Sequence, residues 1–479
     1  MENIEIEDIS EDGHFSYFSE LPDEIIIKIF SYLSPYTDIK HSKLVNRKWN
    51  RIISTNESHS KKIFYESLHN GNIKWQIHKQ SSYNIIDTLV PGTWSGKTRR
   101  SKVQLPNINI PFPRFSHSAV VLGRYLYVFC GSTSESNFSS STYNDLHRLD
   151  LSMRTWQKVK TEGLMPAPRE CCSMVAYKQK SSKHLYRTLP YLGKLIIFGG
   201  WCQPPRNRVI IGPRFFDDTQ IFHVHESRWQ RLNLKCSPTS RAGHSASVIQ
   251  DKMVLFGGSQ RINRLNDVWV FCLVTLTWSC PPIQSKKPAE RFGHSQFTLN
   301  DTTILIIGGC GGDANTLFGD VWLLNVTTWC WSQVKVNNAF SEAPDLWCHA
   351  SVMINGDIIT FSEEKECPYC KIPIQTYNVP RDPPLDSDVN CSCGRIRNGN
   401  LPSISRRHLQ MYILNCKDVL NKSVCTWADY KYLSPSPLSR KLFTACTGVN
   451  EVLLFGGLIN DCVDSNKLDN CVMILSANT

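Results

Sequence analysis

Two groups of residues in this chain of 479 residues have the types and spacing that do chemistry. The first is an arginine that returns along the chain with a histidine three positions later: Arg114/His117, Arg241/His244 and Arg291/His294. Arg169 and Arg440 keep the arginine, while Cys172 and Phe443 stand at the histidine position; Leu346 replaces the arginine ahead of His349. A guanidinium presents a planar fork of donors that matches a carboxylate or a phosphate. Five of them facing one basin would hold an acidic or phosphorylated peptide. The same five could instead pair with loop aspartates such as Asp145, Asp267 or Asp320 and tie the fold together. Both readings stay open. The second group is Cys367, Cys370, Cys391 and Cys393. Two close cysteine pairs separated by about 20 residues can complete a tetrahedral four-thiolate zinc site. The second pair, Cys–x–Cys, is tighter than the usual Cys–x–x–Cys, and free loop thiols are the alternative. The recurring histidines, one per repeat, are expected to be scaffolding. No phosphate-binding loop, nucleophile elbow or helical His–Glu–x–x–His occurs, so a non-catalytic protein is expected, with no cofactor beyond that zinc.

The elements that position these residues repeat. From about residue 111, apolar strands end at Phe129-Cys130-Gly131, Phe198-Gly199-Gly200, Phe256-Gly257-Gly258, Ile307-Gly308-Gly309 and Phe455-Gly456-Gly457. Trp156, Trp229, Trp278 and Trp331 close the early repeats, each six residues after Asp150, His223, Cys272 or Asn325. Another strand lies between, commonly after an aspartate. Each repeat thus reads as four short strands in about 50 residues. One such unit cannot bury both faces alone, so the units must stack in a ring. Starts near residues 114, 169, 241, 291, 346 and 440 give six repeats. The sixth ends with three strands and no tryptophan, so a strand around Trp75 or Trp94 is expected to close the ring. The fifth repeat is interrupted at 362–407 by a stretch rich in Pro, Asp, Ser, Asn and Gly.

Ahead of the repeats lies a small helical segment. Pro22 suits a first helical position, and Asp23 and Glu24 suit the positive end of the helix dipole. Ile25, Ile26, Ile29, Phe30 and Leu33 then share a face, Ser34-Pro35 breaks the helix, and Leu44, Val45, Trp49, Ile52 and Ile53 form a second periodic run. About 45 residues bury little surface by themselves, so a partner is expected.

Leu21-Pro22, Ile25, Ile29-Phe30, Leu33, Leu44-Val45 and Trp49 resemble the F-box, and the repeats resemble Kelch repeats. The combination resembles the F-box/Kelch-repeat family. That resemblance implies a mainly β fold: a six-bladed Kelch-type β-propeller with a small all-α F-box module. The expected boundaries are a flexible acidic N-terminus at 1–15, the F-box at 16–63, a linker with a ring-closing strand at 64–110 and the propeller at 111–479. It further implies docking on a Skp adaptor, and through it a cullin–RING ubiquitin ligase, by Leu21, Pro22, Ile25, Ile29, Phe30, Leu33, Leu44, Val45 and Trp49. Carried over from Kelch proteins, the target site at the ring's mouth would comprise Arg114, Arg169, Arg241, Arg291, Arg440, Ser132, Trp201, Ser259, Gln260 and Arg261. The function implied is substrate recognition for ubiquitination; a Kelch interaction scaffold without a ubiquitin role is the alternative.

Bulk properties agree. Hydrophobic residues make up 41% and charged residues 20%, enough for a packed core. The net charge of +11 is dispersed, and its densest cluster, Lys97 to Lys102, reads as a solvated linker, so no nucleic-acid partner is expected. No run of about 18 apolar residues occurs and Met1 to Ser19 lacks a signal-type apolar stretch. An intracellular location, cytoplasmic or nuclear, is therefore expected, with the 19 cysteines mostly reduced.

Overall fold

A computed structural model describes residues 21–78, 83–91, 98–106, 108–134, 140–178, 193–203, 212–312, 316–338, 344, 346–363, 389–390, 396–397, 408–428, 436–460 and 465–478. The chain divides into two compact parts, Met1–Phe64 and Tyr65–Thr479. No described helix is long and apolar enough to cross a membrane.

The first part is helical. Helix α1 (Asp23–Phe30) starts behind Pro22, with Asp23 and Glu24 in its first turn. Helix α2 (Asp38–Ser42) follows, and helix α3 (Arg47–Asn70) begins where the Asn46 side chain accepts the Trp49 N–H at 2.8 Å. Leu44 and Val45 therefore lie ahead of α3 rather than on its face. Ile26, Phe30, Ile39, Ile52 and Ile53 form the core, with Leu21, Leu33 and Trp49 packed against it.

The second part is built from antiparallel strands. In repeat one Ser118–Leu122, Tyr125–Phe129, Leu146–Asp150 and Thr155–Lys158 form one four-stranded sheet. Repeat two adds Glu162–Gly163 to its four strands, and repeat three forms a further four-stranded sheet. Repeats four and five share one eight-stranded sheet. The last strand of repeat four, Cys330–Asn338, runs on and pairs in parallel with Val424–Trp427 of repeat five. The body thus has five large sheets by strand pairing, where six were expected.

The strand that completes the last sheet comes from before the first repeat. Ile73–His78 pairs antiparallel with Val472–Ala477, placing Trp75 opposite Leu475. Trp94, the other candidate, lies outside the described residues. The tryptophans explain why this strand fits. Trp229 packs on Phe129 of the preceding repeat, Trp278 on Phe198 and Trp331 on Phe256, with ring centroids 4.9–5.2 Å apart. Trp156 reaches Phe455 of the last repeat at 5.1 Å, and Trp75 packs edge-on against Phe361 of repeat five at 6.0 Å. Trp75 therefore takes the place of a sixth closing tryptophan, each aromatic face filling the gap between neighbouring sheets.

One residue per repeat sits in the left-handed region around the axis: Ser116, Cys171, Gly243, Gly293, Cys348 and Leu442. Their backbones are joined head to tail. Cys171 N–H donates to the Ser116 carbonyl, Gly243 to Cys171, Gly293 to Gly243, Cys348 to Gly293 and Ser116 to Leu442, at 2.8–3.0 Å. Four of the six are not glycine, so the strain of positive φ is held by these bonds.

Candidate functional site

The recurring arginines are not a binding basin. The side chains of Arg114, Arg169, Arg241, Arg291 and Arg440 are 0–4% exposed. Each meets an aspartate of its own repeat: Asp145, Asp218, Asp267, Asp320 and Asp469 at 2.6–2.8 Å. In the first four the second guanidinium nitrogen donates to the other carboxylate oxygen at 2.9–3.0 Å, a bidentate pair. Arg114 Nη1 also donates to the Cys130 carbonyl and Nε to the Phe112 carbonyl; Arg169, Arg241 and Arg291 repeat this with Gly199, Gly257 and Gly308. A guanidinium held against its own aspartate with at most 4% of its side chain exposed does not present itself to a peptide carboxylate. This corrects the target-binding expectation for all five; their geometry is that of the ion-pair alternative. Burial pushes the Asp145, Asp218, Asp267 and Asp469 carboxyls up, but the facing arginine's charge and hydrogen bonds outweigh it and hold them below the usual range.

Repeat five lacks the whole set. Leu346 stands for the arginine, Gln410 lies where the aspartate would precede the third strand, and Ser362-Glu363 replace the glycines. Without glycine to turn the chain, Asp357–Glu363 runs straight on, pairing Ser362 with Gln410 and Glu363 with Leu409. The interruption at 362–407 leaves from the end of this straight strand.

The histidines join neighbouring repeats. His244 Nε2 lies 2.9 Å from Ser173 Oγ, and His294 Nε2 lies 2.7 Å from Ser245 Oγ. Burial keeps these rings neutral: His117 and His244 are lowered to about 3, His349 to about 4. The glycines make the close approach possible. A Cβ on Gly199 would lie 2.6 Å from the Arg241 carbonyl oxygen and 2.9 Å from His244 Cε1.

The other residues expected at a target site fare differently. Ser132 is buried, its backbone paired with Phe115, so it too leaves the expected set. Trp201 is half-buried and stacks on Phe215 at 6.1 Å; Ser259 is half-buried and bridged to Ala242. Gln260 and Arg261 reach the hairpin tip of repeat three, where Arg261 has φ 57 and Ile262 is 88% exposed. A groove of about 530 Å³ separates this tip from the repeat-two hairpin and is lined by Arg214, Phe215, Ser240, Gln260, Arg261 and Ile262, among others. Among the described residues, two arginines line it and no acid does. Arg214, Phe215 and Ile262 escaped sequence reasoning because they lie outside the repeating marks.

The helical part also has an open apolar surface. Pro22, Ile25, Leu44 and Val45 are exposed, Leu44 by 82%, and Leu21, Ile29, Leu33 and Trp49 are half-buried. Phe30 is corrected: it is 4% exposed, edge-on to Trp49 at 5.2 Å, and belongs to this part's own core. The candidate zinc ligands Cys367, Cys370, Cys391 and Cys393 lie outside the described residues; among those described, no cluster of His, Cys, Asp and Glu could hold a metal ion.

Comparison with known proteins gives these geometries a family. A model for an F-box-like domain matches residues 18–66, and one described as the FBX42 beta-propeller domain matches residues 114–331. Kelch domain-containing protein 1 of Mus musculus is 28% identical over 268 residues, covering 52% of this chain and 61% of that protein. Kelch domain-containing protein 2 of Bos taurus is 26% identical over 269 residues, covering 53% and 62%. F-box/kelch-repeat protein At1g51550 of Arabidopsis thaliana is 33% identical over 145 residues, 28% of each chain. The chain spans about three fifths of the length of the first Kelch relatives it matches. In domain make-up the chain is an F-box/Kelch-repeat protein, an F-box-like domain ahead of a β-propeller domain of the FBX42 type.

Proposed function

We propose that this chain is the substrate-recognition subunit of a Skp–cullin–F-box ubiquitin ligase and recruits its targets for ubiquitination and proteasomal degradation. The observation that carries this reading is the F-box-like domain with uncovered apolar residues, Pro22, Ile25, Leu44 and Val45, in one chain with a Kelch-type propeller. Those four, with the half-buried Leu21, Ile29, Leu33 and Trp49, would bury against a Skp adaptor groove. The chain itself does no chemistry; it raises the concentration of target lysines near the charged ubiquitin carrier. The propeller counts as six-bladed if the eight-stranded sheet is two blades. Six axial left-handed residues and closing tryptophans that include Trp75 and Trp427 support that count.

The target-binding surface is the groove between the repeat-two and repeat-three hairpins. Its two exposed guanidinia beside Phe215 and Ile262 suit an acidic segment with an apolar anchor. The test is capture from lysate by the full chain and by Arg214→Glu/Arg261→Glu, followed by ubiquitination of the captured proteins in a reconstituted ligase. A protein that is held and modified with the wild type, and lost with the double variant at an unchanged melt, supports the assignment. Equal capture by both chains removes the groove from it, and capture without modification favours the scaffold alternative.

A further inference from the structure

The junction between repeats one and two departs from the other junctions in a coordinated way. At four of those, the first glycine of one repeat faces the histidine of the next: Gly199 and His244, Gly257 and His294, Gly308 and His349, Gly456 and His117. A Cβ on these glycines would come within 2.7–3.2 Å of the histidine Cε1. A side chain on one side and a histidine on the other therefore exclude each other. Between repeats one and two both positions change together. Cys130 stands at the glycine position with φ 61, and Cys172 stands at the histidine position. Two side-chain heavy atoms are gained at Cys130 and four are lost at Cys172, and both cysteines pack in one buried apolar cluster with Phe129 and Leu146.

The exchange leaves two thiols in contact. Cys130 Sγ and Cys172 Sγ are 3.3 Å apart, Cys130 fully buried and Cys172 8% exposed. Ser118 Oγ lies 3.4 Å from Cys172 Sγ. The neighbouring Cys130 thiol and the charge of Arg169 favour a thiolate at Cys172 and lower its pKa, while the Ser118 hydroxyl donates to the Cys172 carbonyl at 2.6 Å; burial pushes the Cys130 thiol up. Two thiols 3.3 Å apart, the more exposed of them that of Cys172, make a disulfide-forming pair.

We propose that Cys130 and Cys172 are a peroxide-responsive dithiol that closes into a disulfide between repeats one and two. The Cys172 thiolate attacks one oxygen of hydrogen peroxide; the O–O bond breaks, and the departing hydroxide takes a proton to become water. Cys172 is then a sulfenic acid. The Cys130 sulfur attacks the Cys172 sulfur, the S–O bond breaks, and a second water leaves carrying the Cys130 proton. Two thiols are oxidised, one peroxide is reduced to two waters, and the two repeats are covalently joined.

The test uses the full chain treated with hydrogen peroxide, quenched with N-ethylmaleimide in denaturant, digested and read by mass spectrometry. The expected product is a Cys130–Cys172 linked peptide about 2 Da lighter than the two free peptides together, dispersed by dithiothreitol. The oxidised chain should also melt higher than the reduced one. Cys130→Gly/Cys172→His restores the pairing of the other junctions; it should fold and lose the melting response. Recovery of both cysteines separately alkylated from a folded, peroxide-treated chain overturns the proposal. So does a link to Cys171 instead, or a double variant that responds like the wild type.

Discussion

His117 Nε2 lies 2.8 Å from Thr444 Oγ1, so a side chain of the first repeat is fastened to a strand of the last. The backbone repeats the fastening beside it: Gly457 N–H donates to the Arg114 carbonyl at 2.9 Å, and Ser116 N–H to that of Leu442 at 3.0 Å. These are the contacts that neighbouring repeats make elsewhere in the body, here joining its two ends. A ring closed this way holds its parts by mutual burial, since each sheet depends on its neighbour for one covered face.

Closure depends on the strand Ile73–His78. Removing residues 72–100 takes away six paired positions against Val472–Ala477 and the Trp75 contact with Phe361. We expect the propeller melt to fall steeply in this deletion, by calorimetry or circular dichroism. An unchanged melt would show that the last sheet stands on three strands.

The buried arginines act on stability. Arg114→Ala would strand the Asp145 carboxylate and leave the Cys130 carbonyl without its Nη1 donor. Removing one partner of a buried pair destabilises by about 3–5 kcal/mol. Arg261→Ala, at an exposed hairpin tip, should change stability by less than about 0.5 kcal/mol. Urea melts of the two variants check this; similar, small losses in both would contradict the structural role.

Acid should weaken the fold from just below neutrality. His117 and His244 are held at about 3, and His147 and His349 at about 4, against 6.5 for an ordinary ring, because burial penalises the charged form. Between those values the unfolded chain takes up protons that the folded chain refuses, so stability falls as pH drops from 6.5. The lowered carboxyls of Asp145, Asp218, Asp267 and Asp469 extend the loss further into acid. Glu170 opposes it: burial raises its carboxyl to about 7, so its ionisation weakens the fold as pH rises from 4.5 towards 7. Four histidines outweigh one glutamate. The urea midpoint should be lower at about pH 5 than at about pH 7, and Glu170→Gln should raise the midpoint more at the higher pH. Equal midpoints at the two values would contradict the assignment.

Much of the fold was legible because its marks are mechanical. Glycine turns, closing tryptophans and aspartates before the third strand recur because most repeats need the same turn, filler and counter-charge. The ring-closing strand was legible in part, since Trp75 lay in one of the two stretches ahead of the first repeat that offered a tryptophan. The fate of the arginines was not legible, since one spacing serves an open basin or a closed ion pair. Asp145, Asp267 and Asp320 were visible as partners, but Asp218 and Asp469 were not singled out. The parallel join of repeats four and five depends on Cys330–Asn338 running past its own sheet, which no local pattern announces. In α1, periodicity placed Ile25 and Phe30 on one face without saying which would be covered. The groove at Arg214 and Ile262 arises from two hairpins meeting in space.

The proposed role stands on the apolar surface of the helical part, which would dock on an adaptor. Gel filtration of the purified full chain with a purified Skp adaptor decides whether it does. Co-elution as a stable complex is expected, abolished by Leu44→Asp/Val45→Asp with the melt unchanged, because both residues are exposed. A folded wild-type chain that elutes apart from the adaptor would contradict it.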